Sequence, residues 1–125
     1  MVAWTVWKYV REGGRCPLDD WLGSNAVTNG DRARFDSKVI TLDGIDKDMP
    51  PDFVKMYKST RLHEMKIRAQ GKQLRPLCVK YPDRRIIILC GAIEKDWKIP
   101  QGDLDKAENL LVDFENGRGH VVRYF

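Results

Sequence analysis

The chain has 125 residues, of which 42% are apolar and 32% charged, and a formal net charge of +4. That length supports one moderate core and excludes two, so residues 1–125 read as one domain with 116–125 as a tail. No apolar run approaches the ~20 residues of a membrane helix. The three cysteines, Cys16, Cys78 and Cys90, fit no metal spacing, and their odd number argues against a disulfide framework. A cytoplasmic chain without metal or small-molecule cofactor is the expectation.

Val2 to Arg11 ("VAWTVWKYVR") is rich in β-branched and aromatic residues and predicts a strand. It lacks the basic flank and continuous apolar stretch of a signal peptide. Pro17, tolerated in a first helical turn, precedes the short stripe Leu18, Trp21 and Leu22, and Gly23-Ser24-Asn25 ends that helix. A second helix starts near Asn29 or Asp31 as cap and runs to about Leu42, with Phe35, Val39 and Leu42 on one face. Asp43 to Ser59, with adjacent prolines, reads as a loop. Three extended runs follow: Leu62–Arg68, Gln73–Tyr81 and Arg84–Ala92. Their short breaks predict two successive hairpins, and the third run is apolar on both faces, so it belongs inside a sheet. A third helix covers Pro100 to Phe114, and the tail from Asn116 ends in a strand-like or docking segment. The order is β-α-α-β-β-β-α, an α+β domain with a sheet of about four strands.

Charge is uneven along this order. Between Lys55 and Lys98 there are twelve Lys or Arg against four Asp or Glu, and elsewhere ten against fourteen. A basic middle on an acidic body suits an anionic partner, although a solvated charged surface is the commoner explanation of a generic charge run. In "LHEMKIR", His63, Met65 and Ile67 alternate with Glu64, Lys66 and Arg68. A turn centred near Gln70-Gly71 sets Lys66 opposite Arg75 on the same face. Like charges so placed are destabilising by about 0.2–1 kcal/mol, and a phosphate between them would remove the repulsion. His63 falls on the core face and reads as structural. Cys78, Cys90, Trp4, Trp7 and Trp21 read as core, and Arg84 and Arg85 as a solvated edge. Trp97, among charges, either stacks on a base or packs on a helix.

The block "LHEMKIRAQGKQLRPLC", then "RRIIILCGAIEKDWKIP", then "GDLDKAENLL" resembles the RelE/ParE superfamily of toxin–antitoxin toxins, nearest its HigB-like and phage-derived branch, over residues 2–115. The resemblance implies the RelE-like fold: a mixed sheet, two N-terminal helices and a C-terminal helix. It also implies a metal-independent endoribonuclease that cuts mRNA, often at the ribosome, through attack by the RNA's own 2′-hydroxyl. Matched positions make Lys66, Arg75 and Lys95 the catalytic cations and Lys98 the lysine before the proline; Lys98, with Arg68, Lys72 and Trp97, is an expected RNA contact, and a cognate antitoxin is the implied protein partner. Removing one preorganised donor of that kind costs on the order of 10²–10³ in rate. The chain departs from the branch at Glu94, where a lysine is usual, at Ala92, where an aromatic is usual, and at His63, where tryptophan is usual. No tyrosine or histidine matches a family general acid or base, although Tyr124 and His120 could fold back from the tail. Two other functions stay open: a ParE-like inhibitor of a protein such as DNA gyrase, and a non-toxic phage-derived nucleic-acid-binding protein.

Overall fold

The computed structural model describes residues 3–45, 61–125 and, as backbone, 53–54. The chain opens with β1 (Thr5–Val10), followed by the helices α1 (Pro17–Leu22) and α2 (Asn29–Leu42). Proline opens α1, where its missing N–H costs nothing. The cap of α2 is Thr28, one residue before the expected pair. Its hydroxyl accepts from the Asp31 N–H (3.1 Å), while the Asp31 carboxylate accepts from the Thr28 N–H (2.9 Å). A capping box of this kind satisfies two orphan donors at once, which Asn29 as cap could not do with the residues that follow it.

The expected loop 43–59 contains a two-residue strand, β2 (Phe53–Val54), and most of its remainder lies outside the described residues. The first expected run divides into β3 (His63–Met65) and β4 (Ile67–Ala69), and the second into β5 (Lys72–Leu74) and β6 (Leu77–Lys80). Pairing of His63 with Cys78 and of Ile67 with Leu74 keeps one register across the gap. That register would set Lys66 opposite Arg75, as the Gln70-Gly71 turn predicts, but no ladder pair forms there. The Met65 N–H donates to the Pro76 carbonyl (3.1 Å), and proline has no N–H to return. The hairpin therefore breaks where its cations sit.

β7 (Arg85–Cys90), α3 (Gln101–Glu115) and β8 (His120–Arg123) complete the chain. The main sheet runs β2-β3-β6-β7-β1-β8, with β1 and β7 parallel and the other pairs antiparallel; β4 and β5 form a small second sheet. This is an α+β fold with a mixed sheet and three helices. It has more strands than the four expected, because each strand of the broken hairpin counts twice, the expected loop contributes β2, and the tail adds β8 beside β1.

As its two-sided apolar pattern requires, β7 lies inside the sheet. The sheet divides the interior into two apolar clusters where the length led to the expectation of one core: Ile86 and Ile88 enter one with Phe35, Val39, Met65 and Ile67 beneath α1 and α2. Ile87 and Leu89 enter the other with Leu77, Ala107, Leu110 and Leu111 beneath α3. Each such fully buried side chain contributes about 1.5–3 kcal/mol. Gly91 continues β7, and a Cβ there would stand 2.0 Å from the Trp21 ring. The indole lies directly on bare backbone.

Candidate nucleic-acid interface

Beyond β7 the chain keeps pairing. Arg75 and Ala92 exchange backbone hydrogen bonds (2.8 and 3.1 Å), and the Glu94 N–H donates to the Gln73 carbonyl (3.0 Å). Opposed residues share a face, so Gln73 stands with Glu94 and Arg68 in one row. Immediately after Glu94, Lys95 and Lys98 oppose each other across a tight turn, N–H to carbonyl at 2.8 and 3.2 Å. The central residues of that turn, Asp96 and Trp97, have φ of 53° and 67°, the left-handed pair of a type I′ turn. Asp suits such a turn, but tryptophan does not, and a bulky residue held there costs about 1–3 kcal/mol. Its indole is 94% exposed. Strain is thus accepted at a side chain that buries nothing.

A cleft of about 430 Å³ lies between this turn and the small sheet, lined by Arg68, Gly71, Lys72, Gln73, Glu94 and Trp97. It brings together three of the four expected RNA contacts, Arg68, Lys72 and Trp97. Their electrostatic states differ. Arg68 is exposed, and among the described residues no carboxylate lies within ion-pair distance of it. The Lys72 ammonium is held by the Asp31 carboxylate (2.8 Å) and the Ala26 carbonyl (3.1 Å), which ties the hairpin to the start of α2. Asp31 is buried, and the hydrogen bond from Lys72 holds its carboxyl below its usual value. Lys98, the fourth expected contact, is exposed at the base of the turn.

The expected cation triad Lys66, Arg75 and Lys95 does not form an open cluster. Lys66 and Lys95 are exposed, whereas Arg75 is 7% exposed. Its guanidinium bonds the Glu94 carboxylate, lies 3.7 Å from the Glu64 carboxylate, and reaches Gln73 Oε1 at 3.3 Å. Two acids flank the one arginine, so its charge is already met. Burial of an ionised guanidinium demands such partners. Glu64 therefore faces Arg75. The like-charge pair expected of Lys66 and Arg75 is found instead at Lys95 and Lys98, where both side chains are solvent-facing.

The tail supplies no acid or base to the cleft. Tyr124 packs on Phe35 and donates to the Asp36 carboxylate. Burial, then that bond, raises its pKa. His120 pairs with Val10 at the far edge of the sheet. His63 is buried, and burial lowers its pKa. The cysteine thiols are buried too, Cys90 being pushed up to about 12, which rules against thiolate chemistry. Glu94 is the carboxylate that reaches the cleft. The sequence displayed it only as a charge reversal beside Lys95, and the extension of β7 that turns it inward had no local signature.

Among the described residues no helix is long and apolar enough to cross a membrane. Compared with protein-family models, curated proteins and solved structures, the chain finds no match.

Proposed function

We infer that this domain binds single-stranded RNA in the Trp97 cleft and cleaves it without a metal, as a RelE-like toxin of the cytoplasm kept in check by an antitoxin and acting on mRNA at the ribosome. The observation that carries the reading is Trp97 itself: an exposed indole in a strained turn, between two opposed lysines. A base stacked on such a ring gains about 1–3 kcal/mol, and lysines on either side meet the phosphates. The order of elements, with two helices before the hairpin and one after it, supports the same family reading.

The chemistry is then a transesterification. Glu94, oriented by buried Arg75, takes the proton of the 2′-hydroxyl; the oxygen attacks the adjacent phosphorus to close a 2′,3′-cyclic phosphate, the P–O5′ bond breaks, and the 5′-oxygen leaves as a hydroxyl with a proton from water. Arg68, Lys95 and Lys98 stabilise the extra negative charge on the phosphoryl oxygens. In this reading Arg75 is a positioning residue and makes no contact with phosphate.

Mapping mRNA 5′ ends after brief induction tests it, with Trp97→Ala and Glu94→Gln as controls. New ends at fixed positions within codons, lost in both controls, are expected. Arrested growth with an unchanged map would instead assign the chain to inhibition of a protein target. The neutralised Arg75 favours one further reading, RNA binding without cutting. RNA retained by the purified chain, with no new ends and normal growth, decides for that one.

A further inference from the structure

Gln73 lines the Trp97 cleft and takes no part in the cleavage chemistry. Its backbone is fixed on both sides: it pairs with Arg68 across the small sheet, and its carbonyl accepts the Glu94 N–H (3.0 Å). Its amide is fixed as well. The buried Arg75 guanidinium donates to Gln73 Oε1 (3.3 Å). A guanidinium carries donors and no acceptor, so the amide atom it meets is the oxygen. The two arms of an amide diverge. With Oε1 turned to Arg75, the Nε2 arm and its two hydrogens are left to a ligand. The neighbouring side chains share that bias, since Arg68 and Lys72 also donate and cannot accept. Glu94 does accept, but Arg75 holds one of its oxygens, and in the cleavage reading the 2′-hydroxyl takes the other.

We propose that the cleft selects guanine, stacked on Trp97 with its O6 and N7 edge toward Gln73 Nε2. The inference rests on the RNA-binding reading and names the base that the strand presents there. A free glutamine amide reads adenine with both arms, accepting from N6 and donating to N7. Arg75 occupies the accepting arm, so an adenine amino group would face a donor. Cytosine, with its N4 amino group, meets the same repulsion. Guanine presents two adjacent acceptors and no amino group on that edge. Uracil offers O4 singly, and a smaller ring for the indole to cover. Gln73 is then the specificity residue, and Arg75 sets which of its arms does the reading.

The test is equilibrium binding of fluorescent uridine oligonucleotides to the full chain, at fixed salt because phosphate contacts make affinity salt-dependent. Each carries one guanosine, adenosine, cytidine or 7-deazaguanosine at its centre. Guanosine should bind at least about fivefold tighter than adenosine or cytidine, the lower end of what one base contact discriminates. The 7-deaza base, with C–H in place of N7, should lose part of that advantage. Gln73→Met, similar in length and without donors, should bring guanosine and adenosine within about twofold of each other. Trp97→Ala should weaken binding of every oligonucleotide. A preference for adenosine, or a guanosine preference that survives Gln73→Met, overturns Gln73 as the reader. If Gln73→Met fails to fold, wild type decides: 7-deazaguanosine bound as tightly as guanosine overturns the proposal, and weaker binding supports it. Equal binding of all four by wild type, still weakened by Trp97→Ala, overturns guanine selection and leaves the RNA-binding reading intact. Wild type that binds none of them overturns both.

Discussion

Tryptophan at a left-handed turn position sets stability against function at one residue. Trp97→Gly gives the turn the Asp-Gly pair it prefers, and should raise Tm by roughly 3–5 °C. The same change should lower RNA affinity roughly 5- to 150-fold, the value of one stacked base. A variant that gains no stability, or binds RNA as well as wild type, removes the case for a functional indole. Arg75 predicts the opposite pattern. Arg75→Ala leaves Glu64 and Glu94 facing each other without a cation, a loss of about 3–5 kcal/mol visible in urea unfolding with no RNA present. Inactivity of that variant thus reports on folding, and Glu94→Gln is the informative substitution. Of the candidate site, the grouping was legible in part: Arg68, Lys72 and Trp97, singled out together in the sequence, line one cleft. The burial of Arg75 was not, because strand alternation gives a face but not whether that face is covered or paired at a given residue. Proline at 76 broke the hairpin and let the arginine turn between two acids.

Elements show the same division. Strand, helix, helix, hairpin and helix were readable from periodicity, since Phe35 with Val39 and Ile86 with Ile88 mark their core faces at helical and strand spacing. The cap at Thr28, the break at Pro76 and the docking of the tail depend on side-chain bonds and long-range pairing, which local pattern does not carry. Packing of α1 on the sheet turns on Gly91. Gly91→Ala drives a methyl into Trp21 and should cost about 1–3 kcal/mol, whereas Gly102→Ala, where a Cβ meets nothing, should stabilise α3 by about 0.5–1 kcal/mol. Acid should loosen the molecule in two steps. His63 has a lowered pKa when folded, so the unfolded chain binds more protons and stability falls as pH drops below 6.5. Asp31 is also lowered, so its contribution is complete above its ordinary value of 3.8 and is lost as pH falls through the folded value. In Lys72→Met the main cause of the Asp31 shift is gone, and the second step should move to higher pH in an unfolding titration.

For the whole molecule, Lys66, Arg68, Lys72 and Arg75 of the basic middle stand on the hairpin, while Arg61, Lys80 and Arg84 contact Glu115 and Trp4 of a body built on β1, the helices and β8. The tail is part of that body. Tyr124 joins the helix-side core, its N–H bonds the Val6 carbonyl (3.0 Å), and Arg123 reaches Asp43 (3.1 Å). Deleting residues 120–125 should therefore cost more than about 2 kcal/mol and raise amide exchange along β1 while the Trp97 turn keeps its pairing. The position of β1 also sets an order in time. β1 takes β7 on one side and β8 on the other, so both its neighbours are made long after it. At about 5–20 residues per second, Val6 and Tyr9, which face opposite cores, wait seconds for their partners. The body that presents the basic hairpin therefore closes only when β8 reaches β1, well after the hairpin itself has been made.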